Sequence, residues 1–338
     1  MRIGTGKYTY EWQEDWIQFP NPKSASEGWA HHGVVVTESG NIITLHHGDM
    51  KIVTFDPEGE LINSWDLGLQ EAHGMTLVKE NGVEYLWIAD NGRKRTPETA
   101  YEYPNPDGIY TGQVVKKTLS GDTVMVLPKP PLPIYSNGIY APTWVAINEI
   151  RNGGNGDIWV TDGYGQNQIH RFSKDGSYIN SIDGSEGEAG RFDCPHAIFI
   201  DLRKNSHELF IADRANGRIQ VYDLAGKFIR CFGSEYLTSP SGFATYGNLM
   251  IVAELRARLT IIDTNDNLVT YLGDNDEVAD VPGWPNNVDA NGSIIPSKLL
   301  EAGKFNSPHG MAVDSNGNIF VAEWLIGGRF VKLDSSTP

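Results

Sequence analysis

The stretch PHGMAVDSNGNIFVAEWLIGGRFVKLD, residues 308–334, decides the fold. A Pro-His-Gly lead-in opens onto the short apolar run MAV, and SNGN makes a turn. IFVAE is a second β-rich run that ends on an acid, and RFVKLD is a third. The same order recurs in PHAIFIDLRKNSHELFIADRANGRIQVYDLAGKFIRCFG (195–233) and in 142–183. It recurs again at 73–93, resumed at 112–127, at 32–66, and in its most degenerate form at 240–273. Each copy reads as short β-strands, with DPEG, KDGS and DLAG as turns between the last two. Six four-stranded units describe an all-β six-bladed β-propeller, in which radial repetition leaves few exposed sheet edges. The blades span approximately 32–66, 73–127, 142–183, 196–233, 240–273 and 309–334. The last copy stops at VKLD without a fourth strand, and the strand-like YTYEWQEDW at 8–16 is expected to complete it. No linker separates the copies, so residues 1–338 read as one domain.

Composition removes several classes. The chain has 338 residues, with 43 acidic and 27 basic side chains and a formal charge of −16. That balance argues against a nucleic-acid partner or an anionic membrane surface, both of which need a basic face. Two cysteines, Cys194 and Cys231, imply no disulfide framework. No run of about 18 apolar residues is present. The opening MRIGTGKYTYEWQEDW lacks the apolar core of a secretory signal, so a cytoplasmic protein is expected. SKLLEAGKF (297–305) is the one short helix candidate. Three insertions, 91–111, 128–141 and 274–306, are rich in Pro, Tyr, Asn and Gly. Loops of that length on a rigid scaffold are where binding surfaces are built.

Aligning the copies brings out a histidine pattern. The residue before each first strand is, in order, His32, His73, Thr143, His196, Ser241 and His309. Alternate blades of a six-bladed propeller lie about 120° apart around its axis. His73, His196 and His309, from blades two, four and six, are therefore expected to converge on one ion. A three-histidine set with open coordination positions suits a catalytic zinc or another divalent transition metal. Histidine before a strand can also be a repeat signature that bonds a neighbouring turn. His32, in blade one, fits a supporting or substrate-contacting role. His31 and His207 show no converging partners, and His170 falls on an outer strand.

The second strand returns to the same rim. Its ends carry His46-His47, Asp90-Asn91, Asp162-Gly163-Tyr164, Asp213-Arg214, Glu254-Leu255 and Glu323-Trp324. Acids at strand ends cap turns or hold metal ligands from behind, and Asp162, Asp213 and Glu323 are read in that way. Turn logic does not require Tyr164 or Arg214. A tyrosine beside a cation can serve as a base, and a rim arginine can grip a substrate carboxylate.

These residues resemble a known family. The copies look like NHL repeats, and the functional positions are similar to those of peptidyl-α-hydroxyglycine α-amidating lyases. The resemblance is strongest over about 140–235, in IWVTDGYGQNQIHRFSKDG, RFDCPHAIFI and IADRANGRIQVYD. It implies a catalytic zinc on His73, His196 and His309, with Tyr164 as the catalytic tyrosine and Arg214 as an active-site arginine. The implied reaction cleaves an N–Cα(OH) bond, releasing an amide and glyoxylate. Two positions depart from the pattern. His47 stands where the family has a second active-site arginine, which points to a different substrate on the same plan. Gly310 replaces the aspartate that would bind a structural calcium, which leaves that ion open. The expected function is a metal-dependent lyase acting on a small-molecule or short peptide-like substrate. A non-catalytic NHL scaffold that binds protein, and a metal-dependent hydrolase or lactonase, are the alternatives.

Overall fold

The computed structural model describes residues 1–14, 16–103 and 111–335, so 104–110 of the first insertion lie outside the described residues. Six blade sheets are present, each antiparallel and mostly in sequence order. The first runs Val35–Val36, Ile42–His46, Lys51–Phe55, Leu61–Asp66. The third runs Trp144–Ile147, Ile158–Asp162, Gln168–Phe172, Tyr178–Ile182. The chain is a six-bladed β-propeller.

Apolar content within a blade falls from the inner strands to the outer one, and burial follows it. The second strands, such as IITLH at 42–46 and ELFIAD at 208–213, are buried along their whole length. The fourth strand LINSWD at 61–66 is almost wholly exposed. Uninterrupted apolar runs belong to strands covered on both faces, whereas alternating ones face water on one side. Hairpin turns between third and fourth strands are closed by a side chain. Asp56, Asp223 and Asp263 each accept two backbone N–H groups from the turn that follows, as expected of Asx turns.

The blade containing 308–334 is completed as expected. Tyr8–Gln13 pairs with Arg329–Ser335, setting Tyr10 opposite Ser335 and Gln13 opposite Lys332. Arg2–Thr5 adds a fifth strand outside it, which the sequence pattern did not reveal. Trp12 from the N-terminal strand packs on Phe305 at 4.7 Å, within a core of Tyr10, Ile251, Leu259, Met311 and Leu333.

The chain packs as two compact units. Unit 1 comprises Met1–Gly68, Lys94–Pro104 and Ser241–Pro338; unit 2 comprises Leu69–Arg93 and Asn105–Pro240. Unit 2 has its own core, built on Trp87, Val145, Val160 and Phe172.

The helix expected at 297–305 is absent. That segment holds an isolated bridge between Glu301 and Lys304, and Gly303 sits at φ +81°, which a right-handed helix does not admit. A short helix forms instead at Pro22–Glu27, with proline in its first turn.

Candidate functional site

The acids that end the second strands act on the chain that leads into the first strands. Asp90 accepts the N–H groups of Gln70 and Glu71, and Ala141 donates to Asp162 at 2.7 Å. Asp193 donates to Asp213 at 2.8 Å, and Asn306 and Ser307 both donate to Glu323. Each contact lies two or three residues before His73, Thr143, His196 or His309. These carboxylates therefore fix the backbone that presents the histidines, and none of these bonds goes to an imidazole. Glu254, in the degenerate blade, accepts from Arg258 and Thr260. Burial pushes Asp90 up to about 6 and Asp162 up to about 7, despite the N–H groups that favour their charged forms.

Unit 2 gathers His73, His196, Tyr164 and Arg214. The two imidazoles are fully buried, with ring centroids 4.8 Å apart. His73 Nδ1 lies 2.6 Å from Thr143 O, which puts its proton on Nδ1 and its lone pair on Nε2. The Tyr164 hydroxyl lies 3.0 Å from His196 Nε2 and 3.3 Å from His73 Nε2. Arg214 Nη1 donates to that same oxygen at 3.2 Å, and Nη2 approaches Cys194 Sγ at 3.1 Å. Desolvation works against the Arg214 charge, yet Tyr164 and Cys194 beside it hold its pKa above the ordinary value. The guanidinium is thus directed at the tyrosine. Cys194 is kept as a thiol by burial.

A network behind Tyr164 was not legible in the sequence. Tyr135 donates to Asp162 at 2.6 Å and lies 2.7 Å from His170 Nε2, while His170 Nδ1 meets Ser181. Burial holds the His170 pKa near 3, so it stays neutral. Asp162 also accepts Gln166 N at 2.8 Å, so it clamps the loop that carries Tyr164 on both sides.

Unit 1 carries the other histidines. His309 Nδ1 lies 3.2 Å from His32 O, and its ring sits 4.7 Å from that of His31. The expectation that His31 has no converging partner is therefore corrected; the His31-His32 doublet was the signal. His32 is buried beside His47 and Phe330, with ring centroids 5.9 and 5.6 Å away. Desolvation drives its pKa well down. His47 lies 2.7 Å from Ala25 O through Nε2, and burial lowers its pKa to about 3. His47 is therefore neutral at physiological pH, unlike the arginine whose place it takes in the resemblance. At Gly310 a Cβ would lie 2.2 Å from His32 O, so no side chain fits there without a backbone shift.

Four buried histidines, His31 and His309 in unit 1 and His73 and His196 in unit 2, have the donor chemistry for a metal. The donors are all nitrogen, and backbone carbonyls orient His73 and His309 through Nδ1. That chemistry fits zinc or a neighbouring transition metal and does not fit magnesium or calcium, which take oxygen ligands.

A six-bladed β-propeller family model matches residues 145–247, and an NHL repeat matches 305–324. The propeller carries an NHL repeat. Human NHL repeat-containing protein 3 is 27% identical over 229 residues, covering 63% of this chain and 58% of that protein. Peptidyl-alpha-hydroxyglycine alpha-amidating lyase 1 of Drosophila melanogaster is 27% identical over 266 residues, covering 74% of this chain and 42% of the fly protein. The propeller thus spans about three-fifths of the human relative and less than half of the fly enzyme. Among solved structures, a streptogramin B lyase superposes with a TM-score of 0.57 at 16% identity, covering 98% of this chain and 99% of that one. At that identity the likeness concerns the fold.

Proposed function

We propose that this propeller is a metal-dependent lyase of the amidating type, which cleaves a C–N or C–O bond in a small polar or short peptide-like substrate. The observation that carries this reading is the Tyr164 hydroxyl, held between His196 Nε2, His73 Nε2 and Arg214 Nη1. Similarity to the fly amidating lyase over most of this chain supports it. His73, His196 and His309, joined by His31, would hold one zinc-class ion. Bound there, such an ion supplies a Lewis acid for a substrate hydroxyl or carbonyl oxygen.

Tyr164 acts as the base. Arg214 donates to the phenolic oxygen and places a positive charge over the ring at 5.3 Å, which lowers the cost of ionising it. The tyrosine takes the proton of the substrate hydroxyl, the C–N bond breaks with its electron pair on nitrogen, and a carbonyl forms. The same proton then passes to the leaving nitrogen, so Tyr164 returns to its starting state. Asp162 holds the Tyr164 loop, and Asp213 and Glu323 fix the lead-ins of His196 and His309. His32 and His47 furnish a neutral wall in unit 1.

The similarity to the NHL repeat-containing proteins favours a second reading, a non-catalytic protein-binding scaffold. Metal analysis of the purified protein, together with glyoxylate release from an α-hydroxyglycine-extended peptide, separates the two. Stoichiometric zinc and turnover are expected; a metal-free, inactive protein would leave the scaffold.

A further inference from the structure

Arg214 turns one N–H of each terminal nitrogen to Tyr164 and Cys194, and a substrate anion can draw on another cation as well. Unit 1 contains one with no hydrogen-bond or ion-pair partner among the described residues. Arg95, in the loop after Val83–Asp90, has its guanidinium 4.7 Å from the Trp29 ring, 4.4 Å from Tyr103 and 5.9 Å from Trp324. Its Nε is buried without a hydrogen-bond partner, and so are the indole Nε1 atoms of Trp29 and Trp324. An unsatisfied indole alone says little, because Trp16, Trp87 and Trp159 have one too. A half-buried guanidinium with no carboxylate against it among the described residues is different, since an uncompensated charge away from water is costly.

All three unsatisfied atoms around the cage are donors. A ligand that completes it must therefore bring acceptors, and a planar oxyanion matches the guanidinium fork. The cage is rigid. Lys94 Nζ donates to Trp29 O at 3.2 Å, Trp29 bridges to Ile326, and the Trp29 and Trp324 rings lie 5.4 Å apart. It also reaches the histidines of the same unit. Trp324 lies 5.9 Å from His31, and His31 lies 4.7 Å from His309. Arg95 and Lys94 also line an open cleft of about 440 Å³, together with Glu27 and Glu98.

We infer that Arg95, seated among Trp29, Tyr103 and Trp324, is the subsite that holds the carboxylate of the substrate. This rests on the lyase reading above and names the substrate class: a carboxylate whose body packs on aromatic rings. Arg95 acts in binding, not in bond cleavage.

The probes are phenylacetate and its neutral isostere phenylacetamide, titrated by tryptophan fluorescence into the zinc-loaded protein, with zinc content measured on the same samples. Phenylacetate is expected to bind at least about tenfold more tightly, a preference that Arg95→Gln abolishes and Arg95→Lys partly restores. The same preference should survive removal of the metal. If instead it persists in Arg95→Gln, or vanishes only when zinc is stripped, the carboxylate sits elsewhere and the inference falls while the lyase reading stands. Lack of any preference in the wild-type protein also overturns it. Arg95-dependent binding to a wild-type protein that takes up no zinc overturns the lyase reading and, with it, the substrate role. Mass spectrometry of phenylglyoxal-treated wild-type protein provides a check that does not depend on a variant folding. Phenylacetate should protect Arg95, and equal labelling with and without it refutes the site.

Discussion

His73 and His32 occupy the same place in the repeat, the residue that opens a first strand, yet their surroundings differ. His73 is oriented through Nδ1 by Thr143 O and turns Nε2 to the Tyr164 hydroxyl. His32 has Nδ1 within 3.2 Å of Gly33 O and of the Thr44 hydroxyl, and its ring lies beside Phe330 and His47. Its Nε2 is buried without a partner among the described residues. One histidine is presented to other polar groups, and the other is part of a wall. The repeat position fixes where the side chain starts. The residues around it determine what it does, and here the decisive neighbour is Tyr164, which comes from the loop after Ile158–Asp162.

The largest effect should separate these two histidines. His196→Ala is expected to abolish both metal retention and turnover, while His32→Ala keeps the metal. Inductively coupled plasma mass spectrometry on the two purified variants reads this directly. Full occupancy in His196→Ala would remove the metal assignment, and metal loss in both would erase the contrast between ligand and wall.

The next effect concerns the tyrosine. Tyr164→Phe keeps the ring against His73 and His196 and removes only the hydroxyl that Arg214 serves. Turnover should fall by roughly 10²- to 10⁴-fold, as for loss of a general base, with metal content unchanged. Wild-type rates in this variant would move the proton transfer to another group.

The sequence carried the fold further than it carried the site. Period, turn chemistry and the missing fourth strand after VKLD were enough for six blades and for the closing strand Tyr8–Gln13, because those signals are local. Arg2–Thr5 escaped because the RIGT run is too short and too polar to stand out. Spacing identified Tyr164 and Arg214 as rim residues but could not show that Arg214 faces the tyrosine. His31 pairs with His309 across 278 positions, and the Tyr135–Asp162–His170 network joins an insertion to two different strands. Contacts of that kind come from packing, which no periodicity encodes.

Acidity provides a smaller, graded test. Asp162 titrates near 7 in the fold against an ordinary value of 3.8, so the folded chain binds its proton more tightly than the unfolded one does. Its contribution to stability is full below about pH 4 and is lost as the pH rises to about 7. Asp90, near 6, acts in the same direction. At about 1.4 kcal/mol per unit, Asp162 alone can account for at most roughly 4 kcal/mol of that decline. Urea unfolding at several pH values should show a shallower decline in Asp162→Asn than in the wild type. Parallel curves would mean that the carboxylate ionises normally in place.

The smallest effect tests whether the strand-opening position has a duty independent of metal. In blades three and five that position is Thr143 and Ser241. Thr143 donates to Pro195 O and Ser241 to Pro308 O, each at 3.1 Å, one blade further along the chain. His309 Nδ1 reaches His32 O in the same manner, and His73 Nδ1 reaches Thr143 O. Histidine, threonine and serine thus share one structural task, a bond from the side chain to the next blade's backbone. Only histidine has a second nitrogen left for other chemistry. Thr143→Val and Ser241→Ala should each cost about 1 kcal/mol of stability, the usual worth of one such bond, and leave metal content untouched. If either variant lost its metal, the blade-to-blade bonds would be setting the positions of the histidines. The division between a structural nitrogen and a functional one would then no longer hold.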